Sequence, residues 1–498
     1  MMNNKFLSFS ISAVLLSALS ITVSTPIFAA SEGTVEDKAT LLSGQARESE
    51  PVLLAQFGLP NILNRDIPGE IDSRINQLES NIKSRIPNIL QPLIPENLFS
   101  LEGERLLEFA NYFDKDVPEF DQQPADISQT LADIANTTGD RYAMIYVSYV
   151  EEGGLEFLLF APNSAPQTLY TVGFRQEELE DLVTKLRSDL FDSLKRKNTQ
   201  YLPTSKTLYT ALIEPLEDYL KSNDIEGLIF SMDQGLRSLP LAALYDGDSY
   251  LIEDYSLTII PSFVNVNSDH LSLRKTPVLA MGAESFLKLD PLPGAALEVK
   301  AIADMTGGKG LLNEEFNIEN LTTLRNNQNF PVVHLATHAE FNSGKPKKSS
   351  ISLWHDELKL NEIDELGLDN PPVDLFVLSA CQTALGSYEA ELGFAGLTIA
   401  SGSKTALGSL WSVSDSGTLV LMQNFYNYLQ TEPTKAAALQ KAQLDMLRSN
   451  LSLQNGQVRD ASGAIRNLRL TEDLADFNLS ELSHPFYWSG FTMVGQPW

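Results

Sequence analysis

The sequence has almost no cysteine. Cys381 is the only one among 498 residues. A single cysteine cannot close an internal disulfide, although disulfides stabilise many exported proteins. The residue is therefore either a buried bystander, which is common for unpaired cysteine, or a free thiol kept for chemistry.

Basic residues are also scarce, with 36 Lys and Arg against 65 Asp and Glu and a formal net charge of −29. Such a surface repels phosphate backbones and anionic lipids, so we expect no nucleic acid and no electrostatic membrane contact as partners. After the first 30 residues, no run is long and apolar enough to predict a membrane span. The apolar fraction of 43% is sufficient for a large core.

The N-terminus has the pattern of a secretory signal. Lys5 precedes an apolar stretch over residues 6–23, and "STPIFAA" follows with small residues at its end. This pattern predicts a signal peptide over residues 1–30, with cleavage after Ala29 or Ala30. A membrane anchor is the alternative interpretation. The prediction is a protein exported to the periplasm or the extracellular space.

The rest of the chain divides by texture. Residues 31–58 are acidic and have no apolar period, which predicts a disordered leader. Residues 59–127 hold prolines that limit helices to short pieces. They form a Pro-interrupted helical segment, and any protein partner is expected to bind through residues 31–127. Residues 128–498 form the main domain, with 128–225 as its N-terminal portion.

Within the main domain, apolar β-branched runs alternate with amphipathic helices. A hairpin formed by "YAMIYVSYV" and "LEFLLFAP" comes first, and helices are expected over 176–196 and 205–222. Later strand candidates alternate with helices to the C-terminus. This pattern predicts an α/β fold: a mostly parallel sheet with helices on both faces, preceded by a smaller α/β region.

Two of the apolar runs end at residues whose side chains can act in catalysis. "PVVHLAT" ends at His338, and "VDLFVLSA" ends at Cys381. Active residues of open parallel sheets gather beyond the carboxyl ends of the strands. A thiolate there can attack a carbonyl carbon while the imidazole accepts the thiol proton and returns it to the leaving amine. This chemistry requires no cofactor.

His334 lies four residues before His338, a spacing that would place two metal ligands together on a helix. On the predicted strand the two residues lie roughly 13 Å apart, too far to share an ion. We therefore assign no metal site and expect His334 to be a core residue or one that supports the site residues from behind.

Several blocks in this order resemble the CHAT family of caspase-like proteins: "VVHLATHAEF", "VDLFVLSACQTALG", "KTALGSLWSVSDSGT" and "HPFYWSGFTMVGQPW". The resemblance covers about residue 128 to the end. It implies a caspase-like fold and a cysteine peptidase dyad of His338 and Cys381. It also implies an oxyanion hole from the backbone N–H groups of Cys381 and Ala339, where the family commonly has glycine.

The implied function is an exported cysteine endopeptidase that cleaves protein or peptide substrates. The alternative is a catalytically latent interaction or regulatory module with the same fold. In caspase-like folds, the segment corresponding to "WSVSDSG" borders the substrate channel. Trp411 could form an apolar wall there. Asp415 could meet a basic substrate side chain, or it could cap the following helix.

Overall fold

The structure is a computed structural model. It describes residues 97–116, 124–150, 153–192, 198–264, 266–328, 330–380, 388–411, 414–448, 452–454, 457–459, 465–469 and 482–498. Those from Leu98 onward belong to one compact unit. The predicted signal peptide, the acidic leader, most of the Pro-interrupted segment and Cys381 lie outside the described residues.

The described α-helices, in chain order, are α1 (Asn97–Phe113), α2 (Pro124–Thr138), α3 (Gln176–Phe191), α4 (Leu202–Leu212), α5 (Glu217–Ser222), α6 (Leu251–Asp254), α7 (Pro293–Thr306), α8 (Ile318–Asn327), α9 (Tyr388–Ala395), α10 (Leu397–Ser401), α11 (Asp415–Leu429) and α12 (Lys435–Leu447). In this part of the chain, no helix combines the length and apolar character needed to cross a membrane.

The described strands are β1 (Tyr142–Tyr149), β2 (Gly154–Phe160), β3 (Gln167–Val172), β4 (Gly227–Met232), β5 (Ser256–Ile259), β6 (Val278–Gly282), β7 (Lys309–Leu312), β8 (Val332–Thr337), β9 (Ala339–Glu340), β10 (Ser350–Ser352), β11 (Glu357–Lys359), β12 (Leu375–Ala380), β13 (Thr405–Ser409), β14 (Ser452–Gln454), β15 (Gln457–Arg459), β16 (Ile465–Arg469) and β17 (Phe491–Gly495).

Eleven strands form one large sheet in the order β3-β2-β1-β4-β5-β17-β13-β12-β8-β6-β7. Only the β1–β2, β2–β3 and β13–β17 pairs are antiparallel. The predicted α/β fold with a mostly parallel sheet and flanking helices is confirmed. The hairpin of β1 and β2 is part of the same sheet, so residues 128–225 continue the main fold. Two small sheets, β11-β10-β9 and β14-β15-β16, accompany it.

The central strands owe their position to apolar side chains. Every residue of β6 and β8 is buried. Strands that are covered on both faces need such continuous apolar runs, because neither face meets water. β8 pairs in parallel with β6 on one side and β12 on the other. The carboxyl ends of these three strands therefore meet at one edge of the sheet.

From Leu98 onward, helix α1 belongs to the same compact unit as the large sheet. Two charged residues of α1 are buried within the fold. Glu102 accepts hydrogen bonds from the Tyr146 hydroxyl and the Phe263 N–H, the latter at 3.0 Å. Arg105 donates to the Val147 carbonyl oxygen at 2.8 Å. Charged residues usually indicate a solvated helix face, so the burial of these two side chains could not be predicted from the sequence.

Candidate functional site

The site lies at the carboxyl edge formed by β8 and β12. The two strands run in register, and Ala380 at the end of β12 pairs with Thr337 at the end of β8. His338 is the next residue after Thr337 and is half-buried. Cys381 lies outside the described residues, but it directly follows Ala380 in the sequence. The sequence predicted this convergence of the two strand ends.

His338 is held by the loop between β6 and α7. Its Nε2 lies 2.8 Å from the backbone oxygen of Asp290, and the Phe286 ring meets the imidazole edge to face with centroids 4.8 Å apart. A carbonyl oxygen can only accept, so Nε2 carries the hydrogen in this bond. The neutral ring then has its lone pair on Nδ1, which makes Nδ1 the basic atom.

Ala339 opens β9 and is buried. It pairs with Ile351 of β10, and the Ser352 N–H donates to the His338 carbonyl oxygen at 2.8 Å. Because bonding alternates along an antiparallel pair, the N–H of Ala339 faces away from β10. The positive backbone φ angles recorded for non-glycine residues in the described chain occur elsewhere. Alanine therefore fits this position without strain.

Asp415 is the first residue of α11, but it does not cap that helix. The N-cap is Ser414, whose hydroxyl accepts from the Gly417 N–H, so the capping interpretation of Asp415 is wrong. A short hydroxyl one residue earlier reaches that N–H instead. Oδ2 of Asp415 accepts the Gly294 N–H of α7 at 2.7 Å.

The Asp415 carboxylate is partly shielded from water. Burial raises the pKa of Asp415, while the Gly294 N–H and the nearby His338 act in the opposite direction. A β-carbon built on Gly294 would lie 2.5 Å from Oδ1 of Asp415. A side chain at position 294 would therefore have to displace the Asp415 carboxylate.

Trp411 lies after β13 and is only 3% exposed. Its indole Nε1 donates to the Phe486 carbonyl oxygen at 3.0 Å, and the two rings stack. A β-carbon on Gly490 would lie 2.8 Å from the indole. The structure thus places Trp411 against the C-terminal segment, where it packs as a rigid apolar residue.

His334 is a core residue, as the strand interpretation predicted. It is 0% exposed. Its Nε2 lies 2.8 Å from Oε1 of Glu298 on α7, and its Nδ1 lies 3.2 Å from the Tyr426 hydroxyl of α11. His334 therefore faces helices and not the edge of the sheet where His338 lies.

Sequence reasoning missed three contributors to the site: Phe286, Asp290 and Gly294. Asp290 acts through its backbone oxygen, which leaves no residue-type signal in a sequence. Phe286 and Gly294 flank a proline-rich turn, "FLKLDPLPG". Its position between a predicted strand and a predicted helix at the carboxyl edge was the available signal.

One depression in the surface lies away from His338. A depression of about 500 Å³ is lined by Pro277, Gly308, Lys309 and Phe330 among others. It lies at the amino ends of β6, β7 and β8, across the sheet from His338. Among the described side chains, no cluster of three or more His, Asp or Glu could hold a metal ion.

Together these features define an α/β protein with a histidine at the carboxyl edge of a mostly parallel sheet. The sequence model of the CHAT domain matches residues 202–496. The chain belongs to the CHAT domain family.

Comparisons with individual proteins give more distant matches. Tetratricopeptide repeat protein 28 of Mus musculus is 22% identical over an alignment of 364 residues that covers 60% of this chain and 14% of that protein. Two structures of the Saccharomyces cerevisiae separase–securin complex match with TM-scores of 0.44 and 0.45, at 11% and 12% identity. They cover 74% and 80% of this chain, which spans 31% and 34% of those chains.

Proposed function

We propose that this chain is a caspase-like cysteine endopeptidase that cleaves protein or peptide substrates with Cys381 as nucleophile and His338 as general base and acid. The observation that carries the proposal is the in-register pairing of Ala380 with Thr337. The residues that follow Ala380 and Thr337 are Cys381 and His338, which carry the thiol and the imidazole of the dyad. Membership of the CHAT family supports the same assignment.

The contacts of His338 assign an atom to each step. Its Nε2–H is bound to the Asp290 oxygen, so Nδ1 accepts the proton of the Cys381 thiol. The thiolate attacks the substrate carbonyl carbon, and the Nδ1–H then protonates the departing amine as the C–N bond breaks. Water attacks the resulting thioester, gives a proton to Nδ1, and the acid is released as the Cys381 sulfur leaves.

The tetrahedral intermediate needs hydrogen-bond donors for its oxyanion. The N–H of Ala339 is suited to this role, because it faces away from β10 and directly follows the base. The N–H of Cys381 is the proposed second donor. A backbone donor survives the exchange of glycine for alanine, and the extended conformation of β9 accommodates alanine.

We also propose that Asp415 shapes substrate preference. Asp415 carries a partly buried carboxylate near His338, which favours a basic side chain close to the scissile bond. The Trp411 indole is buried against Phe486, so its proposed part is to support this region of the chain and not to contact the substrate. A peptide library tests this preference: cleavage only after acidic or apolar residues would exclude the role of Asp415.

Export is a further part of the proposal and is supported by the apolar stretch over residues 6–23. Cell fractionation combined with N-terminal sequencing tests it. The expected product is found in the periplasm or the medium and begins at Ala30 or Ser31. Retention of residues 1–30 on a cytoplasmic protein would contradict export.

The test of the dyad is alkylation of the folded protein by iodoacetamide or a peptidyl electrophile, followed by intact mass. We expect modification at Cys381 and a rate about a hundredfold lower in His338→Ala, because general base catalysis commonly contributes that much. His355→Ala is the matched control, since His355 is exposed in the turn before β11. Equal rates in all three proteins, or full proteolysis by Cys381→Ala, would favour the interaction module.

A further inference from the structure

The loop between β6 and α7 carries two exposed leucines close to His338. Leu287 is 74% and Leu289 is 36% exposed, whereas Phe286 beside them is half-buried. Seven large apolar side chains are exposed among the described residues, and the other five lie outside this loop. A single exposed leucine needs no explanation, but exposed apolar groups that adjoin a candidate site are of the type that binds ligands. The two leucines therefore lie where a substrate side chain can cover them.

Contacts at its base and along its length hold this loop in place. The Leu292 N–H donates to the Glu284 carbonyl oxygen at 3.0 Å, and this bond closes the base of the loop. Between these two residues, the Phe286 ring packs on the His338 ring, and the Asp290 oxygen accepts the Nε2–H. The leucines thus belong to a segment that is fixed against the proposed catalytic base on either side of them.

The chain itself limits how far each leucine lies from the imidazole. Leu287 directly follows Phe286, whose ring touches His338. Leu289 directly precedes Asp290, whose backbone oxygen binds the same ring. Consecutive Cα atoms are about 3.8 Å apart, so the backbone at each leucine is one residue away from a contact with His338.

The loop also passes close to the small sheet of β9, β10 and β11. The side chains of Lys359 and Ser350 and the charge of Lys288 all lower the pKa of the Glu357 carboxyl on β11. Lys288 is the residue between the two leucines. Ala339, whose N–H is the proposed oxyanion donor, opens the same small sheet. The loop therefore borders both the proposed base and the strand that carries this donor.

We propose that Leu287 and Leu289 form an apolar subsite for a substrate side chain close to the scissile bond. The inference rests on the proposed function, because the occupant is the polypeptide that is cleaved at the dyad. A polypeptide whose carbonyl carbon is within reach of Cys381 passes His338, and so it passes the loop that holds His338. An apolar substrate side chain on the two leucines removes apolar surface of both partners from water. The expected substrate has two features, a basic residue near Asp415 and an apolar residue at the loop.

The test is cleavage of a peptide library by the full-length protein, with the new termini identified by mass spectrometry. We expect leucine, isoleucine, methionine or phenylalanine to be enriched at one position within a few residues of the scissile bond. For two peptides that differ only at this position, kcat/KM should be about tenfold higher with leucine than with serine. Leu287→Ser/Leu289→Ser should lower that ratio to less than about twofold, because it removes the apolar surface of the subsite.

Two further variants separate direct contact from an indirect effect on the fold. Leu287→Glu should change the preference at the same position from apolar to lysine or arginine, because the new carboxylate pairs with a basic side chain. A purely structural role would not create a new preference. Leu271→Ser is the matched control, since Leu271 is 45% exposed between β5 and β6, and it should retain the apolar preference. All three variants should melt close to the unmodified protein, because the substituted side chains are exposed.

The outcomes distinguish this subsite from the peptidase itself. No apolar enrichment, or the same enrichment in the folded double variant, would overturn the subsite. Iodoacetamide carries no peptide side chain, so its reaction with Cys381 reports on the dyad alone. Labelling that is independent of His338 would reject the proposed function. Labelling that depends on His338, together with no apolar preference, would reject the subsite and retain the dyad.

Discussion

Lys435 offers a quantitative test of how tightly the sheet is buried at its amino edge. It is the first residue of α12 and only 3% exposed, and its Nζ lies 3.4 Å from the Asp374 carbonyl oxygen. Burial lowers the pKa of Lys435 from 10.5 to about 7, while Asp374 opposes this change and Lys404 adds to it. A cation at a helix N-terminus is also unfavourable.

The sign of the pH dependence follows from this depressed pKa. The unfolded chain binds the proton below about pH 10.5, whereas the folded chain binds it only below about pH 7. Lowering the pH through this window therefore favours the unfolded state by about 1.4 kcal/mol per unit. The accumulated penalty is about 4 kcal/mol at pH 7 and approaches about 5 kcal/mol below it.

Lys435→Met should remove that penalty. Asp374 keeps its ion pair with Lys404 at 3.0 Å, so no acid is left without a partner. We expect the variant to gain about 2 to 4 kcal/mol of unfolding free energy at pH 7, less the weak bond to the Asp374 oxygen. Urea denaturation at several pH values between 7 and 10 measures both the gain in unfolding free energy and the loss of its dependence on pH.

Lys300→Met is the matched control. Its side chain is 71% exposed and pairs with Asp304 on the surface of α7, so the expected change is below about 1 kcal/mol. A Lys435→Met protein that is less stable at pH 7 and keeps the original pH slope would refute the reasoning. That result would mean that the Lys435 ammonium remains hydrated in the folded protein.

Two further predictions concern the contact between α7 and α11. Gly294→Ala should lower the melting temperature by several degrees, because the new methyl group meets the Asp415 carboxylate; Gly103→Ala on α1, where a β-carbon meets nothing within 4 Å, should not. Burial raises the pKa of Asp415, so the unmodified protein should lose stability as the pH rises above the usual aspartate range. Asp415→Asn should remove this pH-dependent loss. Calorimetry between about pH 4 and 7 checks this, and identical profiles for both proteins would contradict it.

Much of the fold near the site could be predicted because apolar runs determine buried strands. The runs ending at His338 and Cys381 predicted β8 and β12, and their common edge followed from parallel pairing. Strand order could not be predicted in the same way. β17 lies antiparallel to β13 and parallel to β5, and its five residues give no local signal for that location.

The partners of the site residues were harder to predict than the residues themselves. The acceptor for His338 is a backbone oxygen, which any residue at position 290 would provide. The buried Glu298 and the buried Arg105 have residue types that normally indicate solvent. Only the assembled core shows that Glu298 meets His334 and that Arg105 meets the Val147 oxygen.

The distance between Cys381 Sγ and the two ring nitrogens of His338 tests the central claim most directly. A crystal structure of the unmodified protein would provide it. We predict that Nδ1 faces the sulfur at about 3 to 4 Å, while Nε2 stays bound to the Asp290 oxygen. A sulfur buried away from the imidazole, or Nε2 turned toward the thiol with the Asp290 oxygen released, would contradict the account.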